Sequence, residues 1–139
     1  MTAKLNEDTK STLIEYRLER AKETLKEAQY NADGKYYNAA VNRLYYACYY
    51  AASALMLEYN LEASTHNGIK SMIGLNFVRT GLLESKYGRI YQQLFENRQS
   101  GDYEDFVYCD LEMFNSLYPQ AVEFVDRINQ LIFKQLSPL

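Results

Sequence analysis

Apolar residues recur along most of this chain in alternating steps of four and three, the spacing that lines them up on one face of an α-helix. The first stripe is Ile14, Leu18, Ala21, Leu25 and Ala28. It predicts a first helix whose start is marked equally well by a Thr12–Glu15 capping box, by Asp8 or by Thr9. Asn31-Ala32-Asp33-Gly34 predicts its end, with Gly34 in the left-handed conformation of a C-terminal cap. A second stripe, Tyr37, Val41, Leu44, Cys48, Ala51 and Leu55, predicts a helix from about Lys35 to about Tyr59. Beside it run Tyr36, Ala40, Ala47 and Ala54, so much of the circumference is apolar or small. A helix of that kind packs on two sides and forms the centre of a bundle.

Asn60 to Asn67 has no periodicity and is expected to be a loop. Ile69, Met72, Ile73 and Phe77 then predict a short helix ended by Gly81. Ser85 is expected to cap a fourth helix whose face carries Tyr87, Ile90, Tyr91, Leu94, Phe95 and Arg98, with Ser100-Gly101-Asp102 breaking it. That puts Arg98 in the last turn. From about Glu104 a long stripe resumes through Val107, Leu111, Phe114, Tyr118, Ala121, Val125, Ile128 and Ile132, with Pro119 expected to kink or split it. No β-type alternation, repeat or dividing linker interrupts the pattern. The expectation is an all-α, antiparallel, up-and-down bundle of about five helices, a single domain over 1–139 with its core at about 12–135.

Composition narrows the chemistry. Fourteen tyrosines and six phenylalanines with no tryptophan imply a cleft or subunit interface where phenol tips meet polar partners. A net charge of -3 excludes a basic field able to hold a long duplex, so a duplex-DNA reader is not expected; a local pocket of arginines for RNA or a nucleotide remains open. Cys48 and Cys109 sit in apolar helical patterns without metal spacing, as buried thiols of a reducing compartment would. The polar opening MTAKLNEDTK and the lack of a run of roughly eighteen apolar residues point to a cytoplasmic protein without a membrane span.

The most specific segment is Leu94-Phe95-Glu96-Asn97-Arg98-Gln99-Ser100-Gly101-Asp102-Tyr103. It resembles the motif of the HEPN family (higher eukaryotes and prokaryotes nucleotide-binding), Arg followed after four to six residues by His, in a variant where Tyr103 replaces the His. Tyr36 to Ala47, Thr65-His66-Asn67-Gly68 and the Phe77–Gly88 connection extend the resemblance over roughly Leu25 to Leu131. It implies a helical homodimer with the motif residues of both subunits meeting in a cleft. Several relatives are metal-independent ribonucleases; others are toxins paired with a small nucleotidyltransferase-fold antitoxin, and some only bind nucleotides or partners.

Cleaving RNA without a metal needs a base near the ribose 2′-hydroxyl, an acid at the leaving oxygen and a cation against the phosphate. The guanidinium of Arg98 suits the last task, because it is always charged and can grip two oxygens. Tyr103 is a weaker base than the His it replaces: a phenol with a pKa near 10 is roughly one part in a thousand ionised at neutral pH. It can still donate a proton or a hydrogen bond. Arg98 and Tyr103 are therefore the catalytic candidates, with Asn42, Arg43, Asn97 and Asp102 as further cleft residues. The bland alternatives are a helix-end cation paired with Glu96 or Asp102 for Arg98, and a buried ion pair with an acid of helix 4 or 5 for Arg43.

His66, the only histidine, lies in the expected loop next to Asn67-Gly68 rather than beside Arg98; its default is a cap or solvent group, the resemblance implies a helix-start feature here, and supplying the missing base is the alternative. Tyr45, Tyr46, Tyr49 and Tyr50 could stack bases but fit core and dimer contacts better. Asp102, Glu104, Asp105 and Asp110 lack the Glu-x-x-His pairs of a di-iron bundle and suit caps at the start of helix 5. No cofactor and no metal are expected.

Overall fold

The computed structural model describes residues 6–103 and 109–134, with side chains for 6–98 and 109–133. These residues form five α-helices: α1 (Glu7–Asp33), α2 (Tyr37–Glu58), α3 (His66–Met72), α4 (Ser85–Tyr103) and α5 (Leu111–Lys134). A π-helical stretch, Ile73–Val78, continues α3. The architecture is the expected all-α bundle.

The first helix starts nearly two turns earlier than the Thr12–Glu15 box suggests and close to the alternative starts at Asp8 and Thr9. Asn6 is its N-cap, and its side chain accepts a hydrogen bond from the Thr9 amide at 2.8 Å. At the other end Gly34 is not left-handed, with φ -84; Lys35 takes that conformation instead, with φ 67. The reason is the cap's register. Tyr36 N–H donates to Asn31 O and Lys35 N–H to Ala32 O, a Schellman pair that puts Lys35 one residue past the cap. The end of α2 repeats the device with Asn60 at φ 57, where Leu61 N–H reaches Met56 O and Asn60 N–H reaches Leu57 O.

The second helix is the axis of the fold. Val41, Leu44, Cys48, Ala51 and Leu55 are buried, as are Ala40, Ala47 and Ala54 of the second row. The alanines allow α1 to lie against α2 along its length, while α5, α4 and α3 pack on its other sides. Burial pushes the Cys48 thiol up, so it stays protonated.

Several expectations are corrected. Thr65 accepts from the Gly68 amide at 2.9 Å and so caps α3, which places His66 and Asn67 inside a helix rather than a loop. Ser85 is the first residue of α4, not its cap. And α4 does not break at Ser100-Gly101-Asp102 but runs to Tyr103, so Arg98 lies a turn inside it. Pro119 sits within an unsplit α5. That helix starts at Leu111, later than the stripe suggests, where Asp110 accepts from the Met113 amide at 2.9 Å. Asp110 is thus a cap; Glu104 and Asp105 lie outside the described residues. No described helix is long and apolar enough to cross a membrane.

A lysine in the left-handed region costs about 1 kcal/mol relative to glycine. Lys35→Gly should therefore raise the unfolding free energy by about that amount in urea titration, and an unchanged or lower midpoint would contradict the cap assignment.

Candidate functional site

The buried face of α2 carries one large polar group at its centre. Tyr45 is 0% exposed, so its hydroxyl must find partners inside the protein. It finds two. Tyr91 of α4 donates to it at 3.4 Å, and His66 of α3 lies with Nδ1 at 2.7 Å. Burial pushes the Tyr45 phenol up to about 12, against smaller downward pulls from the Tyr91 hydrogen bond and the Arg98 charge. Burial likewise pushes Tyr91 well up. Both phenols hold their protons at neutral pH. The Tyr45 hydroxyl and His66 Nδ1 share one proton across this contact, and the imidazole tautomer decides which of the two donates.

Arg98 sits against the same tyrosine. It is 8% exposed, and its guanidinium carbon lies 5.1 Å from the Tyr45 ring centre and 5.4 Å from that of Phe95. The ammonium of Lys70, one turn into α3 from His66, lies 4.7 Å from the Phe95 ring centre. Ring faces attract cations through their quadrupoles, by about 1–2 kcal/mol when partly desolvated, so Tyr45 and Phe95 fix where these charges sit. Three helices thereby bring two cations and the imidazole together around two aromatic rings.

The other candidates divide. Asn42 accepts from Arg43 at 3.0 Å, and Arg43 stacks on Tyr46 at 4.8 Å. The acid that Arg43 meets is Glu27 of α1, at 3.8 Å. It is not an acid of the fourth or fifth helix, as the ion-pair alternative expected. Asn97 turns away: it donates to Gln93 O at 2.9 Å and lines a small groove towards Asp110 and Met113. Glu96 is held by Gln92 at 3.1 Å. Tyr103 is the last residue of α4; its side chain and that of Asp102 lie outside the described ones.

His66 is the residue whose partners sequence reasoning missed; its position at a helix start is the one the resemblance implied. It is half-buried, hydrogen-bonded to Tyr45, and packed at 4.6 Å on the Tyr49 ring. Two signals pointed to it: Thr65 as a cap three residues before Gly68, and a tyrosine in the apolar heart of α2 that needed a hydrogen-bonding partner.

The model of the HEPN domain matches residues 14–131. The chain belongs to the HEPN family. The UPF0332 protein of Thermotoga maritima is 37% identical over 88% of this chain and 93% of its own length. A Methanocaldococcus jannaschii protein named as a candidate toxin is 37% identical over 95% of this chain and 97% of its own. A second M. jannaschii protein with the same kind of name is 26% identical over 88% of this chain. The motif segment of this HEPN protein thus lies on α4, and its arginine faces the α2–α3 aromatic cluster.

Raising the Tyr45 pKa on folding has a consequence in alkali. The unfolded phenol ionises near 10 and the folded one near 12. The native state therefore holds more protons between these values, and stability present below pH 10 is lost as pH rises to about 12. Thermal melts of Tyr45→Phe against the wild type should show a shallower alkaline decline in the variant; parallel declines would remove Tyr45 as the cause.

Proposed function

We propose that this HEPN protein is RNA-directed and is the toxin-side component of a pair whose other member is a nucleotidyltransferase-fold antitoxin. In this reading it works as one domain in a homodimer, Arg98 binds the phosphate, and Tyr103, which closes the same helix, supplies a hydrogen bond or a proton beside it. The observation that carries the reading is Arg98 held over Tyr45 and Phe95, with Lys70 on the same phenylalanine and His66 on the same tyrosine. An anion meeting that cluster encounters two positive charges set by aromatic rings, with the imidazole held beside them by Tyr45. The relatives named as candidate toxins support the toxin-side assignment.

Cleavage would follow the metal-independent course, in which the attacking 2′-hydroxyl gives up its proton, a 2′,3′-cyclic phosphate forms and the 5′-oxygen leaves protonated. Arg98 would neutralise the charge that builds on the phosphorus oxygens. A second reading, binding of RNA or a nucleotide without bond breaking, is favoured by the protonation of the cluster. Burial pushes the Tyr45 and Tyr91 phenols up, so both keep their protons at neutral pH, and Nδ1 of His66 is engaged with Tyr45. Donors are plentiful and bases scarce.

The two readings separate when purified protein is incubated with total cellular RNA in excess chelator. Wild-type protein should fragment the RNA, and Arg98→Ala and Tyr103→Phe should each slow it by about 10²-fold or more. Intact RNA with retained affinity would establish the binding reading. Absence of both cleavage and binding would remove RNA as the ligand.

A further inference from the structure

The aromatic cluster does not end at His66. Along α2 it continues from Tyr49 to Tyr46 and Tyr50, whose ring centres each lie 5.9 Å from that of Tyr49. Each of these last two rings carries an arginine. Arg43 lies 4.8 Å from the Tyr46 ring centre, and Arg20 of α1 lies 5.2 Å from that of Tyr50. Positions 43, 46 and 50 fall on one row of the helix, so the arrangement is a stripe and not a scatter.

The stripe is accessible. Tyr46, Tyr49 and Tyr50 are half-buried, and the side chains of Arg20 and Arg43 are 29% and 30% exposed. Its charge also stands against the rest of the chain. A protein of net charge -3 gathers Arg20, Arg43, Lys70 and Arg98 along one aromatic path. Among the described residues the acid paired with the two distal arginines is Glu27, at 3.5 Å and 3.8 Å. One carboxylate between two guanidiniums leaves an excess positive charge and holds both forks in place.

We infer that this stripe is a track for single-stranded RNA, leading from Arg20 and Arg43 to the Arg98 cluster. The inference rests on the RNA-directed reading above and adds to it the substrate's strandedness and its path. Half-buried tyrosine rings topped by arginines give unstacked bases an aromatic and guanidinium surface to lie against whatever their sequence, while the same arginines meet the phosphates. A duplex keeps its base faces covered and needs a broader basic field than four cations supply.

The test is fluorescence anisotropy of a labelled single-stranded RNA oligonucleotide over a salt series, with the full chain carrying Arg20→Gln, Arg43→Gln or both. Arg89→Gln, on an exposed site of α4, is the control. Each distal arginine should account for about 0.7 of the slope of log affinity against log salt, and each loss should weaken binding roughly fivefold. The control should change neither. Glu27→Gln tests the same contact with opposite sign, since removing the carboxylate should tighten binding, and it serves should an arginine variant fail to fold. Wild-type affinity that falls with Arg98→Ala but not with the distal variants would overturn the track and leave the Arg98 site standing. No binding by the wild type would remove the RNA reading itself. A blunt duplex bound as tightly as the single strand would overturn the strandedness. Loss of a dimer in gel filtration of the distal variants would make the stripe a contact between two copies of this chain.

Discussion

A tyrosine hydroxyl buried at the centre of α2 has to be given partners, and the rest of the site is arranged around meeting that need. An unsatisfied buried hydroxyl costs about 1–3 kcal/mol, a large part of the margin by which a domain of this size is stable. Tyr45 meets the requirement by recruiting Tyr91 from α4 and His66 from α3. Two helices that are distant in sequence are thereby tied to the central one at a single point. The same ring offers its face to Arg98, so one side chain sets the position of an imidazole and a guanidinium together.

The surrounding fold serves to hold α2 still. Alanines along one row bring α1 close, and Leu44, Cys48 and Leu55 on the other face the remaining helices. Helix ends are closed by side chains and by left-handed residues, with Asn6, Thr65 and Asp110 at the starts and Lys35 and Asn60 after the ends. Thr65 has the most direct bearing on the site. By capping α3 it makes His66 the first residue of a helix, and this places the ring on Tyr45 and Tyr49 and points Lys70, one turn later, at Phe95.

Much of the bundle was legible in the chain because helical periodicity is a local signal. The α2 stripe from Val41 to Leu55 and the α4 face from Tyr87 to Arg98 are buried as their spacing demands, while Tyr37 at the start of α2 is only half-buried. What was not legible depends on register and on contacts between distant residues. Gly34 looked like the left-handed cap, but the hydrogen bonds that end α1 count one residue further, to Lys35. Ser100-Gly101-Asp102 looked like a break, since each residue is a poor helix former, yet α4 continues through them. The helix start at His66 was within reach of the Thr65–Gly68 cap, but no sequence rule joins it to Tyr45, 21 positions away. Arg98 was singled out by motif; the rings that hold it, and the glutamate of α1 that meets Arg43, come only from packing.

The central claim is that Arg98, set on Tyr45 and Phe95 beside His66, receives the phosphate of an RNA strand. Side-chain NMR of protein labelled with nitrogen-15 in arginine and histidine tests it most directly, by titration with a short single-stranded oligonucleotide. The Arg98 guanidinium and His66 ring resonances should move saturably and together, while Arg127, paired at 3.0 Å with Glu84 just before the start of α4, stays in place. Saturable RNA binding that leaves Arg98 and His66 unmoved would contradict the account.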